Sequence, residues 1–204
     1  MEPAYAKRNH ALNNLEQIND FFLQLDKLKS VQRRSYINGG DRLENSAEHS
    51  WHLAMACWNF ARLMPGEFDE NKLIKMALVH DLGEIGAGDT LLYDSARKDA
   101  HIKERQYIQS LATHQGNAIT DLPEVWEEQE TGVSKETRLL KVLDRLLPVL
   151  LNLNSQGRAW RDNNVKRHQV EQVHRFIADE FPVIHQWLMA ELDRAVANGW
   201  LPVE

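Results

Sequence analysis

Two histidines and two aspartates lie in segments of the chain that are otherwise apolar. They are His49, His80, Asp81 and Asp144. Burying an unpaired charge is costly, so such groups need a cation, a metal or a protein partner. Imidazole and carboxylate together suit a divalent transition metal, and four protein ligands leave room for water and substrate on a six-coordinate ion. The pattern predicts one bound Mn²⁺, Co²⁺, Fe²⁺, Ni²⁺ or Zn²⁺, without the thiolates typical of a closed structural zinc site.

These residues also have ordinary structural interpretations, taken one at a time. His49 is compatible with a hydrogen-bonded core histidine, and His80 with a histidine at the negative end of a helix dipole. Asp144 has an alternative partner in Lys141, which lies three residues earlier on the same helical face. The metal interpretation draws its strength from the four residues together.

The glycine-rich segment 82–90 carries two more carboxylates, Glu84 and Asp89, close in sequence to His80 and Asp81. Carboxylates beside a metal serve as general acids or bases, and a solvated acidic loop is the alternative. The segment lacks the lysine and the spacing of a P-loop, so we do not expect it to cradle phosphate.

Helices are predicted to position these residues, because apolar residues recur at spacings of three and four. The first segment carries an apolar stripe of Leu12, Leu15, Ile18, Phe22, Leu25 and Leu28. Further helices are predicted at about 47–64, from 69 or 70 to 80, and at about 94–114, 123–130, 134–153, 164–180 and 182–197. Segment 35–45 is predicted as a loop, and no alternating run indicates a sheet. The expected architecture is one all-α domain, a helical bundle over residues 1–204.

Adjacent residues on a helix point about 100° apart, so one metal reaches both His80 and Asp81 only where a helix ends or bends. Gly83 follows two residues later and permits such an ending. We therefore expect the helix to end at this histidine–aspartate pair.

The composition is that of an ordinary globular protein, with 43% hydrophobic residues and a net charge of −6. The negative charge argues against a protein that binds DNA or RNA. The longest apolar block, 139–153, is interrupted by charged residues and a proline, so no membrane segment is expected. The single cysteine, Cys57, excludes an internal disulfide, and the N-terminal residues contain no apolar secretory signal. These features predict a cytoplasmic protein.

The order of these motifs resembles the HD-domain superfamily of metal-dependent phosphohydrolases. Segments 44–54, 77–84 with Gly88 and Asp89, and 141–144 are especially similar to the branch that contains the 5′-deoxynucleotidases. The resemblance covers about residues 25–151, and the residues after Asn154 carry no recognised motif. It implies a helical bundle of the HD type.

The resemblance also implies a role for each candidate residue. The metal ligands are His49, His80, Asp81 and Asp144, and Glu84 and Asp89 are the carboxylates that act in acid–base chemistry or position water.

The resemblance further implies an arginine that binds phosphate. Arg34 falls at its position, and Arg33 takes that position if the loop shifts by one residue. The bacterial deoxynucleotidase has a tryptophan directly after its arginine, where this chain has Ser35, so a preference for the 2′-deoxy sugar stays open.

The implied function is hydrolysis of a nucleoside 5′-monophosphate by a homodimer with no nucleic-acid or membrane partner. One alternative is a two-metal HD enzyme, a cyclic-nucleotide phosphodiesterase or a di-iron oxygenase, with added histidines between Asp81 and Asp144. His101 and His114 lie in that interval, but His101 is expected on a solvated face. A second alternative is a helical regulatory module whose metal is structural.

Overall fold

The computed structural model describes residues 14–64, 66–89 and 97–203. Its elements are α1 (Leu15–Asp26), a 3-10 turn (Lys27–Ser30), β1 (Gln32–Tyr36), β2 (Leu43–Asn45), α2 (Ser46–Leu63), α3 (Glu70–Val79), α4 (Glu84–Ala87), α5 (Arg97–Ala112), α6 (Leu122–Thr131), α7 (Lys135–Asn154), α8 (Arg158–Asp162), α9 (Arg167–His174), α10 (Ile177–Glu180) and α11 (Pro182–Ala197). The predicted helical fold class is confirmed. Leu12 and the predicted helix start at 94 lie outside the described residues, and the single-domain division stays a prediction.

Side-chain caps determine where the long helices begin. Asn45 and Glu48 form a capping box at α2: the Asn45 side chain accepts the amide of Glu48 at 3.0 Å, and the Glu48 carboxylate accepts the amide of Asn45 at 3.2 Å. Asp69 caps α3, and Ser134 caps α7. These are the three helices whose sequences contain or lead into the candidate metal ligands.

Segment 35–45 was expected to be a loop, and this prediction is wrong for its ends. Strands β1 and β2 pair antiparallel, with Gln32 opposite Asn45 and Tyr36 opposite Leu43, and the register is irregular between these pairs. The strands are short and mostly polar, so they lack the alternation that marks a strand in sequence.

The helix predicted at 164–180 is two helices, α9 and α10. Between them, the amides of Arg175 and Ala178 bond to carbonyls three residues back, which makes a tighter turn than an α-helix. The five-residue helix α8 was not predicted, because so short an element shows no periodicity.

The apolar stripe of the first helix keeps Ile18, Leu25 and Leu28 as predicted but differs at Leu15 and Phe22. Phe21 is buried, whereas Phe22 and Leu15 are exposed. The inward face therefore runs through Ile18, Phe21 and Leu25, which also follow a spacing of three and four.

Buried apolar side chains form two clusters. The larger one joins α2, α3 and α7 with the C-terminal helices, and the smaller one joins α1, α5 and α6 around Trp126. Ala77 belongs to the larger cluster and Leu82 to the smaller one. The turn that contains His80 and Asp81 therefore lies where the two clusters meet.

The residues after Asn154 complete the larger cluster. Leu188, Leu192, Ala195 and Leu201 are buried in it. No helix within residues 14–64, 66–89 and 97–203 is long and apolar enough to cross a bilayer.

Gly157 and Gly199 offer a matched test of how α8 is held against the C-terminus. Both have positive φ, +73° and +70°, but a Cβ at Gly157 would lie 2.0 Å from the carbonyl oxygen of Trp200, whereas a Cβ at Gly199 meets nothing within 4 Å. We expect Gly199→Ala to cost about 1 kcal/mol of unfolding free energy from backbone strain alone. Gly157→Ala should cost about 2–4 kcal/mol, because the clash adds to that strain. Urea denaturation measures both values, and equal losses would contradict the close packing.

Candidate metal centre and active site

The four predicted ligands come together from three parts of the chain. His49 lies in the first turn of α2, His80 and Asp81 follow α3, and Asp144 lies within α7. The Nε2 atom of His49 is 2.9 Å from Oδ1 of Asp144, and the Nε2 atom of His80 is 3.7 Å from the same oxygen. Oδ1 of Asp81 is 3.1 Å from Nε2 of His80. Metal–ligand bonds of about 2.1 Å place neighbouring ligand atoms roughly 3.0–3.4 Å apart, and two of these three distances are close to that range. Ligand atoms of His49, His80 and Asp81 all lie within 4.8 Å of one another, and Asp144 adjoins the two histidines.

A buried nitrogen of His80 carries the test of whether the residues suit a metal. Nδ1 of His80 lies 2.8 Å from the carbonyl oxygen of Ala77, which holds an N–H at that position. Nε2 is buried, and its contact with Asp81 lacks the geometry of a hydrogen bond. It lies 3.1 Å from Oδ1 of Asp81 and 3.7 Å from Oδ1 of Asp144, a position that suits a metal ligand whose tautomer is fixed by the bond from Nδ1.

The helix does end at the histidine–aspartate pair, but Gly83 serves a different purpose from the one predicted. Its φ is −61°, which any residue adopts. A Cβ at Gly83 would lie 2.6 Å from Cβ of Glu104, so glycine is required because α5 packs directly on the turn. The indole of Trp126 donates to the carbonyl oxygen of His80 at 3.2 Å and holds the turn from α6.

The alternative partner of Asp144 is engaged elsewhere. Lys141 donates to the carbonyl oxygen of Glu130 at 2.9 Å. The neighbouring Arg145 donates to the carbonyl oxygen of Val173 at 2.7 Å. In the described chain, the short contacts of the Asp144 carboxylate are with the two histidines.

Opposite charges outweigh burial at three of the ligands. Burial alone would lower the pKa of His80, but Asp81 and Asp144 raise it to about 9. Burial alone would raise the pKa of Asp81, but His80 and Arg33 lower it to about 2. The histidines likewise hold the pKa of Asp144 well below its usual range, against the effect of burial. The site therefore favours positive charge between the carboxylates, which a divalent cation supplies.

Both candidate arginines line the cleft, at different depths. Arg33 is largely buried and its Nη1 is 2.7 Å from Oδ2 of Asp81, whereas Arg34 is exposed at the mouth. Burial lowers the pKa of Arg33, but Asp81 and Asp144 outweigh it and raise that pKa. Neighbouring residues of a regular strand point to opposite faces, and the irregular register of β1 is consistent with both reaching one cleft.

Glu84 and Asp89 line the same cleft. Oε2 of Glu84 accepts a hydrogen bond from the hydroxyl of Ser46 at 2.6 Å. Burial, and then the charge of Asp81, raise the pKa of Glu84 well above its ordinary value. The same two effects raise the pKa of Asp89. Such carboxyl groups are suited to taking up and returning a proton.

The cleft has a charged end and an apolar end, and such a mixed lining suits a small molecule. Its apolar end is lined by Pro148, Val149, Ala159, Trp160 and Val165, and Asn152 and Asn163 lie among them. Sequence reasoning missed these residues, because they belong to no motif and most of them follow the resembling segment.

His101, which the two-metal alternative considers, belongs to a second group of possible ligands that sequence reasoning did not identify. Nδ1 of His101 lies 3.0 Å from Oε2 of Glu104 and 3.4 Å from Oε2 of Glu130. The expected solvated face is wrong, because these side chains are 13% to 31% exposed and line a second cleft with Asp81 and Asp144. His114 pairs with Asp20 outside both of these clefts.

A family model described as an HD domain matches residues 25–185. This chain belongs to the HD-domain family. A 5′-deoxynucleotidase of Dictyostelium discoideum is 32% identical over 64% of this chain and 73% of its own length. A human 5′-deoxynucleotidase is 26% identical over 84% of this chain and 83% of its own length. The predicted family and branch are confirmed.

A solved structure is similar to this one over nearly the whole chain. It is a protein from Magnetospirillum magnetotacticum described as a predicted metal-dependent phosphohydrolase, 30% identical to this chain. The TM-score is 0.82, and the match covers 93% of this chain and 96% of that one. Together with the ligand cluster, this likeness supports the predicted divalent metal and leaves its identity open.

His49 and His52 lie on the same helix and give a matched test of the metal centre. We expect Mn²⁺ at 100 times its Kd to add about 2.7 kcal/mol to the stability of the wild type. His49→Gln should lose this gain, whereas His52→Gln should keep it, because His52 is outside the ligand cluster. Thermal unfolding with and without Mn²⁺ measures the gain. An undiminished gain in His49→Gln would contradict the assignment.

Proposed function

We propose that this chain hydrolyses a nucleoside 5′-monophosphate to a nucleoside and inorganic phosphate, with one divalent transition metal. The observation that carries the proposal is a cluster of His49, His80 and Asp81 that adjoins Asp144, beside a cleft of an HD-family chain. Two arginines and the carboxyl groups of Glu84 and Asp89 line that cleft together with Asp81 and Asp144. Relatives named 5′-deoxynucleotidases support a nucleotide as the substrate.

His49, His80, Asp81 and Asp144 would hold a divalent cation, which would supply Lewis acidity and lower the pKa of a water molecule. Arg33 places a buried positive charge at the base of the cleft, and Arg34 adds a second charge at its mouth. A guanidinium fork matches phosphoryl oxygens in two contacts. These charges give the dianion a local attraction that the net charge of −6 does not.

The carboxyl groups handle the protons of the reaction. As the water oxygen bonds to phosphorus, the bond from phosphorus to O5′ breaks. Glu84 takes the proton from water, or Asp89 takes it through a second water, and a carboxyl group returns a proton to the leaving alcohol. The bond from Ser46 holds one Glu84 oxygen and so fixes the direction in which the carboxyl group faces.

The nucleoside occupies the apolar end of the cleft. Trp160 and Val165 provide an apolar wall there, and Asn152 and Asn163 lie beside it. Ser35, which stands where the bacterial deoxynucleotidase has tryptophan, lines the cleft as a small residue. We therefore expect the sugar to be contacted mainly from the side of the C-terminal helices.

Phosphate release from a panel of ribo- and deoxyribonucleoside 5′-monophosphates, with Mn²⁺ or Co²⁺ and with chelator, tests the function. Glu84→Gln keeps the size of the side chain and removes the proton acceptor. We expect it to retain bound metal and to lose about 10²–10⁴-fold in kcat.

The matched control is Glu48→Gln, which lies outside the cleft and retains a capping residue at its position. Its kcat should stay within about twofold of the wild type. Full activity in Glu84→Gln would show that this role is wrong. Absence of metal-dependent release from every nucleotide would show that the function is wrong.

The cluster of His101, Glu104 and Glu130 favours a second candidate, a two-metal HD enzyme. It offers one imidazole and two carboxylates beside the cleft that contains Asp144. We expect one metal per chain under the first proposal and two under this one. In a two-metal enzyme, His101→Ala should reduce the metal content from two ions per chain to one. In a one-metal enzyme, it should leave the metal content unchanged. Elemental analysis measures both.

The proposal includes a cytoplasmic homodimer that acts on small molecules rather than on nucleic acid or membranes. The net charge and the buried thiol of Cys57 are compatible with this setting. Trp51, Met55 and Trp58 are exposed along α2 and form an apolar face of the kind found between subunits.

A further inference from the structure

Glu44 is a buried carboxylate that none of the roles above uses. It lies in β2, is 3% exposed, and points inward while Leu43 and Asn45 on either side are partly exposed. Its Oε2 atom is 3.5 Å from Nδ1 of His49 and 3.6 Å from Nε of Arg33.

The three atoms in these two contacts are buried without hydrogen bonds to other described residues. In the described chain, Oε2 of Glu44, Nδ1 of His49 and Nε of Arg33 are all buried and have no hydrogen-bond partner. Buried polar atoms are rarely left unpaired, so three that face one another indicate a network with a purpose beyond stability. The two distances lie just outside hydrogen-bond range and within ion-pair range.

Glu44 and Arg33 connect two candidate metal ligands through side-chain contacts that do not involve the metal. His49 faces Glu44, Glu44 faces Arg33, and Nη1 of Arg33 donates to Oδ2 of Asp81 at 2.7 Å. The β1–β2 hairpin creates this path, because it places Arg33 on one strand and Glu44 on the other.

We infer that Glu44 is a positioning residue that links the metal ligand His49 to the phosphate-binding Arg33. Its carboxylate orients the ring of His49 so that Nε2 faces the metal, and it holds the guanidinium of Arg33 at the base of the cleft. The part that concerns Arg33 rests on the proposed function. A carboxylate behind a ligating imidazole is worth about 10–100-fold in metal affinity.

The experiment titrates Mn²⁺ into the metal-free protein, with free Mn²⁺ followed by electron paramagnetic resonance, and then inorganic phosphate into the Mn²⁺-loaded protein. Glu44→Gln should raise the Kd for Mn²⁺ by about 10–100-fold. It should also raise the Kd for phosphate, because the guanidinium of Arg33 loses its ionic contact with the carboxylate of Glu44. Glu48→Gln, next to His49 in sequence but outside this network, should leave both constants within about twofold of the wild type.

Glu44→Asp is the second variant, in case the glutamine variant does not fold. It keeps the charge but withdraws the oxygens by one methylene, so a positioning role predicts the same direction of change in both constants. Wild-type Mn²⁺ affinity in either folded variant would overturn the inference.

The two titrations need no turnover, so the inference and the proposed function fail separately. Weakened Mn²⁺ binding in a protein whose wild type hydrolyses no nucleotide would remove the function and keep the link to His49. Nucleotide hydrolysis by the wild type with unchanged Mn²⁺ affinity in the variants would keep the function and overturn the link between Glu44 and His49.

Discussion

Concentrated charge in the interior is the constraint on which this structure depends. Asp81, Asp144, Glu84 and Asp89 face one region, and the buried groups that offset their charge there include Arg33, His80 and His49. Carboxylates that are taken out of water need compensation by a cation, a proton or hydrogen bonds. These carboxylates are compensated in two ways. The pKa values of Asp81 and Asp144 are lowered, so these two residues stay charged beside a cation. The pKa of Glu84 is raised, so this residue retains a proton more readily.

The fold meets this constraint by bringing the ligands in from separate elements. A helix start provides His49, a helix end provides His80 and Asp81, and a helix interior provides Asp144. Each element is anchored by a capping box, an indole hydrogen bond or core packing. Rigid anchoring reduces the reorganisation needed when a cation binds and keeps the ligand atoms close to one another.

The sequence indicates candidate site residues where an ionisable residue interrupts an apolar helix. A histidine or an aspartate inside an apolar helix is conspicuous, so His49 and Asp144 were identifiable, and the long helices followed from their period. The β1–β2 hairpin, the short helix α8 and the His101 cluster were missed, because short polar segments show no period and contacts between distant elements leave no local mark. The sequence points to Gly83 as a helix-ending residue, but glycine is required there because Glu104 packs against it, and this contact exists only in three dimensions.

The cleft divides chemistry and recognition between different parts of the chain. The candidate ligands, the candidate phosphate-binding arginines and the acid–base carboxyl groups precede Arg145, which also lines the cleft, whereas the apolar wall begins at Pro148 and continues through Trp160 to Val165. The motif-bearing segment therefore accounts for the reactive end, and the segment without motifs accounts for most of the apolar end. Ser35 leaves space on the strand side, and Trp160 supplies an aromatic surface from α8. A family resemblance based on the metal ligands is for this reason a strong guide to the reaction and a weak guide to the base and the sugar.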